Sequence, residues 1–422
     1  MWESLLHAVL LRAVCMNADP TDEVHTLSKS MNALANAASA ATPGALSRAG
    51  RAGDEALRVA HLDADAFYVA VELLRRPELR GVPVVVSGSG PRAVVTTASY
   101  EARRYGVGSA MPAARARRLC PQAVFLPPDF ATYREVSGRL MDLVRAHVER
   151  VEVVGLDEAY VDLEGLHSPR AAMRRLVVDV ERSLRLSCSV GIGPNKLVAK
   201  VASDADKPGG FVVLTREQAC ARFASSPPGL VPGIGPKTSA RLQRLGVSTL
   251  AMLAGAEEQL LVAHFGPNHG RDLARRARIE HEGAVGSPHK VASESRERTF
   301  DTDLREPGVM REALERMARE LCGSLAKRQR RGRTIGIKVR LDDFTTVTRA
   351  RTVAQPTRDP EVVCTVALAL LAQYAPARPV RLLGVRVAGL AGDADGEATA
   401  VPTEATVTAA GPPRDQQLGL PV

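Results

Sequence analysis

Two acids, Asp157 and Glu158, interrupt an otherwise apolar and β-prone run from Val151 to Leu163. Such a run needs a partner surface, so the pair is expected at the tip of a buried hairpin. Upstream, Val59-Ala60-His61-Leu62 leads into Asp63-Ala64-Asp65, which places another acid at the end of a short strand. Carboxylates at strand ends, gathered by one sheet, are the donors that a divalent-metal site for phosphate chemistry requires. An acidic pair in a turn is ordinarily just solvated. What sets these apart is the company they keep along the chain.

At 422 residues the chain can hold two to four domains. Lys plus Arg exceed Asp plus Glu, 56 against 47, and the formal charge of +9 favours polyanionic partners. The six cysteines are scattered without a CxxC pair, which argues against both a zinc site and a disulfide framework. No apolar run is long enough to cross a bilayer, so no membrane association is expected. Residues 1–55 are Ala/Ser/Thr-rich with little periodicity and read as a flexible extension, or as a start misplaced ahead of Met16 or Met31. The apolar stretch Leu5–Leu11 lacks a basic segment before it, so a signal peptide is not expected and the protein reads as cytoplasmic.

Between residues 56 and 212 strand and helix patterns alternate around what should be a central sheet. Phe67, Ala70, Val71 and Leu74 mark a helix ended by Pro77, and Phe130 to His147 a long one. Cys188–Ile192 reads as a strand, with Asn195 capping the helix that follows. Residues 213–285 turn to short helices. Residues 290–390 form a second α+β unit whose element order is β-α-β-β-α-β. Residues 391–422 are a Gly/Ala/Thr/Pro-rich linker and tail.

Three further stretches bear on function. Pro232-Gly233-Ile234-Gly235-Pro236-Lys237 lacks the glycine spacing of a phosphate loop. It fits a helix–hairpin–helix, in which Gly233 and Gly235 let the turn approach a DNA backbone and Lys237 lies at a helix start. Lys327 to Arg333, with Arg330, Arg331 and Arg333, sits at a helix end leading into a strand. Lys338 and Arg340 then share one face of that strand, and Arg349 and Arg351 one face of its mate. Together they are expected to form a basic sheet surface for a nucleic-acid backbone.

Taken in order, these pieces resemble the Y-family DNA polymerases, in the DNA polymerase IV (DinB-type) branch. The resemblance is carried by His61 to Tyr68, Tyr100-Glu101-Ala102-Arg103 through Pro112, Leu156 to Tyr160, Gly191 to Lys196, Lys207-Pro208-Gly209-Gly210 and Pro232 to Gly235. It covers about residues 58–390. It implies an α+β right-hand fold with a ferredoxin-like palm, small fingers near 75–125, a helix–hairpin–helix thumb and a βαββαβ little finger. Asp63, Asp157 and Glu158, with the main-chain carbonyl of Ala64, would hold two Mg²⁺. Asp65 would be structural.

The same resemblance assigns Phe67, Thr97, Tyr100, Arg103 and Lys207 to the incoming dNTP, and makes Tyr68 the steric gate against ribonucleotides. Primer-template DNA would be the other substrate, and the enzyme a monomer. No segment resembles a proofreading exonuclease, so low-fidelity lesion bypass is implied. The tail Gln417-Leu418-Gly419-Leu420-Pro421 is similar to the short peptide by which bacterial polymerases bind a sliding clamp, with Gln417, Leu418 and Leu420 as anchors. Departures from the family pattern are Gly155, where Ser is frequent, Gly209, where Asn or Asp is usual, and Phe67-Tyr68 in place of a Phe pair. Two other classes compete: a non-catalytic DNA-binding scaffold of the same superfamily, and a two-metal nuclease or nucleotidyl cyclase. The retained acids count against the first, and the gate and triphosphate grip against the second.

Overall fold

Six consecutive buried residues, Val59–Ala64, form the strand around which the chain is built. A strand buried on both faces reads as nearly continuous apolar sequence, which is why only His61 and Asp63 break it. The computed structural model describes residues 57–280, 283–287 and 291–392. In chain order the first part holds β1 (Val59–Ala64), α1 (Phe67–Arg75), β2 (Val84–Ser87), β3 (Val95–Ala98), α2 (Tyr100–Arg103), α3 (Ala113–Leu119), β4 (Val124–Leu126) and α4 (Phe130–His147). It continues with β5 (Val151–Val153), β6 (Glu158–Asp162), α5 (Pro169–Leu184), β7 (Cys188–Gly193), α6 (Lys196–Ala205) and β8 (Phe211–Val213).

The main sheet runs β5-β6-β1-β7-β8. Its first four strands are antiparallel neighbours in the ferredoxin-like order, and β8 joins parallel to β7. The expected hairpin is there: β5 pairs with β6, and residues 154–157 make its turn. Packed beside it, β3-β2-β4 form a small separate sheet covered by α2 and α3. Asn195 caps α6 as its side chain accepts the Val198 N–H at 2.9 Å. α6 lies directly on β7: a Cβ built on Gly191 would stand 2.0 Å from the Ala199 carbonyl oxygen and 2.2 Å from the Ser203 nitrogen. Only glycine permits that approach.

The helical segment comprises α7 (Arg216–Phe223), α8 (Pro236–Arg244), α9 (Leu250–Ala254), α10 (Glu258–Phe265) and α11 (Pro267–Ala277). Its core also includes Leu197, Val198, Val201 and Ala202 of α6, so residue 212 divides the chain in sequence but not in packing. The expected helix–hairpin–helix is reduced. The arm before Gly233 is a single 3₁₀ turn, Pro228–Leu230, where Pro227 and Pro228 lack backbone donors and Gly229 disfavours an α-helix through its backbone entropy.

The C-terminal unit holds β9 (Ser293–Leu304), α12 (Pro307–Lys327), β10 (Arg330–Leu341), β11 (Thr346–Thr357), α13 (Pro360–Tyr374) and β12 (Val380–Gly392). The element order is as expected, but the sheet runs β11-β10-β12-β9 and so differs from the first sheet in strand order. Both helices cover one face, where Ile335, Ile337, Val339 and Leu341 are buried. The basic surface needs correction. Arg349 pairs with Ile337 and Arg351 with Ile335, whereas Lys338 and Arg340 pair with Thr348 and Thr346. Directly paired residues share a face. Arg349 and Arg351 therefore lie on the helix side, where Arg349 stacks over Tyr374, and Lys338 and Arg340 on the open side.

Candidate active site

Asp63 and Glu158 are set by register: in the antiparallel pairing of β1 with β6 they are direct partners. Asp157 is tied to the same place by its backbone, since the Ala64 N–H donates to its carbonyl at 2.8 Å. Carboxylate oxygens of Asp63 and Glu158 and a ring nitrogen of His61 all lie within 4.8 Å of one another. Burial, with Asp63 and Glu158 close by, pushes the Asp157 carboxyl up to about 6. Glu158 goes the other way, down to about 2, held by hydrogen bonding from His61 against burial and by the charge of Lys200. Two neighbouring acids are thus driven apart by their surroundings.

Two lysines answer this negative charge. Lys200 Nζ lies 3.0 Å from Asp63 Oδ2 and 2.8 Å from Glu158 Oε2. Lys207 Nζ lies 2.7 Å from Asp63 Oδ2 and 2.7 Å from Asp204 Oδ1. Burial opposes both ammonium groups, but the surrounding carboxylates outweigh it and their pKa values rise. Asp65 is separately engaged, accepting from Ser187 Oγ at 2.7 Å, Ser189 Oγ at 2.8 Å, the Gly209 N–H at 2.8 Å and the Tyr100 hydroxyl at 3.3 Å. Four donors saturate it, and that closes the loop after Lys207 onto β1.

Tyr68 stands beside this cluster, its ring stacked on Tyr133 at 4.6 Å and edge-on to Phe130 at 5.9 Å. Tyr133 in turn donates its hydroxyl to the buried Glu72 at 2.7 Å, and Arg76 pairs with the same carboxylate. The gate candidate is thus backed by a fixed aromatic wall.

Comparison with known proteins decides the family. Residues 62–204 match the impB/mucB/samB family and residues 291–400 its C-terminal domain. The chain is 40% identical over 342 residues to the DNA polymerase IV of Methanoculleus marisnigri, covering 79% of this chain and 94% of that protein. It is 41% identical to the DNA polymerase IV of Streptomyces coelicolor, covering 79% of this chain and 71% of that protein. Among solved structures, a Y-family polymerase chimera of Dbh and Dpo4 superposes with a TM-score of 0.70 at 25% identity, over 80% of this chain and all of the other. An insertion ternary complex of Dbh DNA polymerase superposes at 0.57 with the same identity and coverage. The chain belongs to the Y-family DNA polymerases, in the DNA polymerase IV branch.

In this Y-family chain the other expected residues fall out unevenly. Phe67 is 2% exposed and packs in the core of the main sheet, so its side chain lines no nucleotide site and only its main chain is left for one. The helical period that puts Tyr68 on the open side of α1 sends its neighbour inward. Thr97 is buried on β3. Arg103 stacks over the Tyr100 ring at 4.6 Å and donates from Nε to the Ala98 carbonyl at 3.0 Å. Gly233 has φ of +89°, Gly235 is the N-cap of α8, and Lys237 is exposed in its first turn. Lys338 pairs with Glu297 at 2.8 Å, and Arg340 donates to Thr346 at 2.8 Å.

Arg330, Arg331 and Arg333 belong to β10 itself, after a turn at Gln329 with φ of +52°. The pairing of β10 with β11 shifts register between Gly332 and Thr334, and Gly332 faces the core, where an added Cβ would meet the Val387 and Leu390 side chains. Residues 1–56 and the tail with Gln417, Leu418 and Leu420 lie outside the described residues.

Sequence reading missed His61, Lys200, Ser203 and Asp204. A signal was present: His61 and Asp63 are two apart on a strand and must share a face. Lys200 and Asp204 are four apart on a helix and must share a side.

Proposed function

We propose that this chain, a DNA-directed DNA polymerase by family, extends a primer 3′-hydroxyl with dNTPs at a divalent-cation site built on Asp63, Asp157 and Glu158. The observation that carries the reading is the β1–β6 register, which sets Asp63 across from Glu158. The donor set suits Mg²⁺: three hard carboxylates beside the Ala64 carbonyl, already attractive enough to draw in two ammonium groups. Two Mg²⁺ held there would lower the pKa of the 3′-hydroxyl and neutralise charge on the leaving pyrophosphate.

The chain's own residues do the rest. Lys207 offers a point charge and Arg103 a planar fork to a triphosphate, with Tyr100 and the main chain at Phe67 beside them. Tyr68, braced by Tyr133 and Phe130, excludes a 2′-hydroxyl by bulk. Lys338 and Arg340 on the open sheet face, with Arg331, Arg333 and the Gly233–Lys237 turn, would grip the DNA backbone without reading its sequence. A fingers layer of three short strands and two short helices encloses little of a template, which favours low-fidelity lesion bypass. The tail would tether a cytoplasmic monomer to a sliding clamp.

A labelled primer-template with one dNTP tests this. Asp157→Ala and Glu158→Ala should each abolish extension while leaving primer-template affinity within about twofold. Substantial extension by either variant would remove the carboxylates from the reaction, and primer shortening by the unaltered protein would point to a nuclease.

A further inference from the structure

His61 is 1% exposed and sits at the centre of a hydrogen-bonded chain that links α6 to Glu158. Its Nδ1 lies 2.9 Å from Ser203 Oγ, and its Nε2 3.3 Å from Glu158 Oε2. The ring is held edge-on to Tyr160 at 4.7 Å, the residue opposite it on β6. Ser203 is equally buried, and its hydroxyl donates to the Lys200 carbonyl at 2.8 Å.

The chemistry of the partners limits where the ring's protons can lie. Glu158 as a carboxylate can only accept, so the Nε2 that faces it must carry a hydrogen. The single Ser203 hydrogen is directed at the Lys200 carbonyl, so the 2.9 Å contact at Nδ1 holds the ring in place without fixing its tautomer. Lys200 donates to the same oxygen of Glu158, Oε2. Among the described residues no hydrogen bond reaches Oε1.

We infer that His61, held in place by Ser203, is a positioning residue for Glu158, clamping Oε2 so that Oε1 is presented to a divalent cation. This rests on the reading of Glu158 as a metal-binding carboxylate. The clamp is built from the sheet and α6 rather than from the hairpin turn that carries the acids. It would therefore set the Glu158 rotamer before DNA and nucleotide arrive.

Four variants test it: His61→Phe, His61→Gln, Ser203→Ala and Glu158→Gln. Each is measured for Mn²⁺ affinity on the protein–DNA complex by electron paramagnetic resonance, for half-saturating Mg²⁺, kcat and dNTP KM, and for Tm without metal. His61→Phe should weaken Mn²⁺ binding and lower kcat about tenfold, the usual effect of losing an outer hydrogen bond to a metal ligand, while dNTP KM stays within about twofold. His61→Gln, which restores an N–H, should recover part of the loss, and Ser203→Ala should reproduce a smaller version of it.

Unchanged Mn²⁺ affinity and kcat in His61→Phe would overturn the inference and leave His61 as packing. Should His61→Phe lose Tm, Ser203→Ala decides instead, and unchanged metal affinity there overturns it. Glu158→Gln separates the two readings. Retained incorporation sinks the metal role of Glu158, whereas lost incorporation beside a silent His61→Phe sinks only the clamp.

Discussion

At neutral pH the Asp157 carboxyl carries its charge against the surroundings, because burial and two neighbouring acids hold its pKa near 6 instead of the ordinary 3.8. An acid raised on folding binds its proton more tightly in the folded state. It therefore costs no stability below about pH 4, costs progressively more as pH rises toward 6, and imposes its full penalty above that. Asp157→Asn should accordingly stabilise the metal-free protein at pH 8, by on the order of 1–3 kcal/mol. The gain should shrink toward zero by pH 4–5 and should diminish when Mg²⁺ is added to both proteins. Thermal melts across that range check it, and a variant no more stable than its parent at pH 8 would mean the lysines already cancel the repulsion. The acids themselves were legible from sequence, since carboxylates interrupting β-prone runs are unusual. The lysines that answer them were not, because Lys200 reads as an ordinary polar position of a capped helix until the sheet beneath it is known.

That sheet contact belongs to the elements. α6 delivers Lys200, Ser203 and Asp204 to the site only because β7 has no side chain at Gly191, where a methyl would overlap the helix backbone at 2.0 Å. Gly193 is also crowded, but less: Val198 Cγ1 at 2.4 Å can rotate away, and Val198 Cβ at 2.8 Å asks only for a small shift. Gly191→Ala should therefore cost about 3 kcal/mol or more and depress incorporation even where the protein stays folded, since α6 must lift with its three side chains. Gly193→Ala should cost distinctly less, a difference readable in paired urea denaturations with single-nucleotide incorporation. Equal losses would mean that the helix has room to shift.

Helices were the more legible elements. Phe130 to His147 shows its apolar stripe in plain sequence, and Asn195 caps as expected. The long strands of the C-terminal unit have polar ends that no apolar period marks: β9 spans Ser293–Leu304. The pairing register, invisible in sequence, is also what split the expected basic surface into two faces.

At the scale of the whole molecule, one contact joins units that the sequence gives no reason to connect. Arg92, in the loop between β2 and β3, donates at 2.7 Å to the Phe300 carbonyl and at 2.7 Å to Asp303 on β9, 208 and 211 residues away. Gly90 lies against Asp301 in the same place, where an added Cβ would meet its carboxylate at 3.0 Å. Both ion-pair partners are partly shielded, 18% and 25% exposed, so the bond is worth more than a surface pair, on the order of 1–2 kcal/mol. A link that small between units of this size holds an average arrangement and leaves relative motion easy. Arg92→Ala should release it. Small-angle scattering of the DNA-free protein should then show a larger radius of gyration and a broader distance distribution, with Tm changed by no more than about 2 °C. Asp303→Ala, which leaves the bond to the Phe300 carbonyl in place, should give a smaller change of the same kind, and the double variant no more than Arg92→Ala alone. Scattering from either single variant that overlays the parent would show that the fingers loop and β9 are held together by other means.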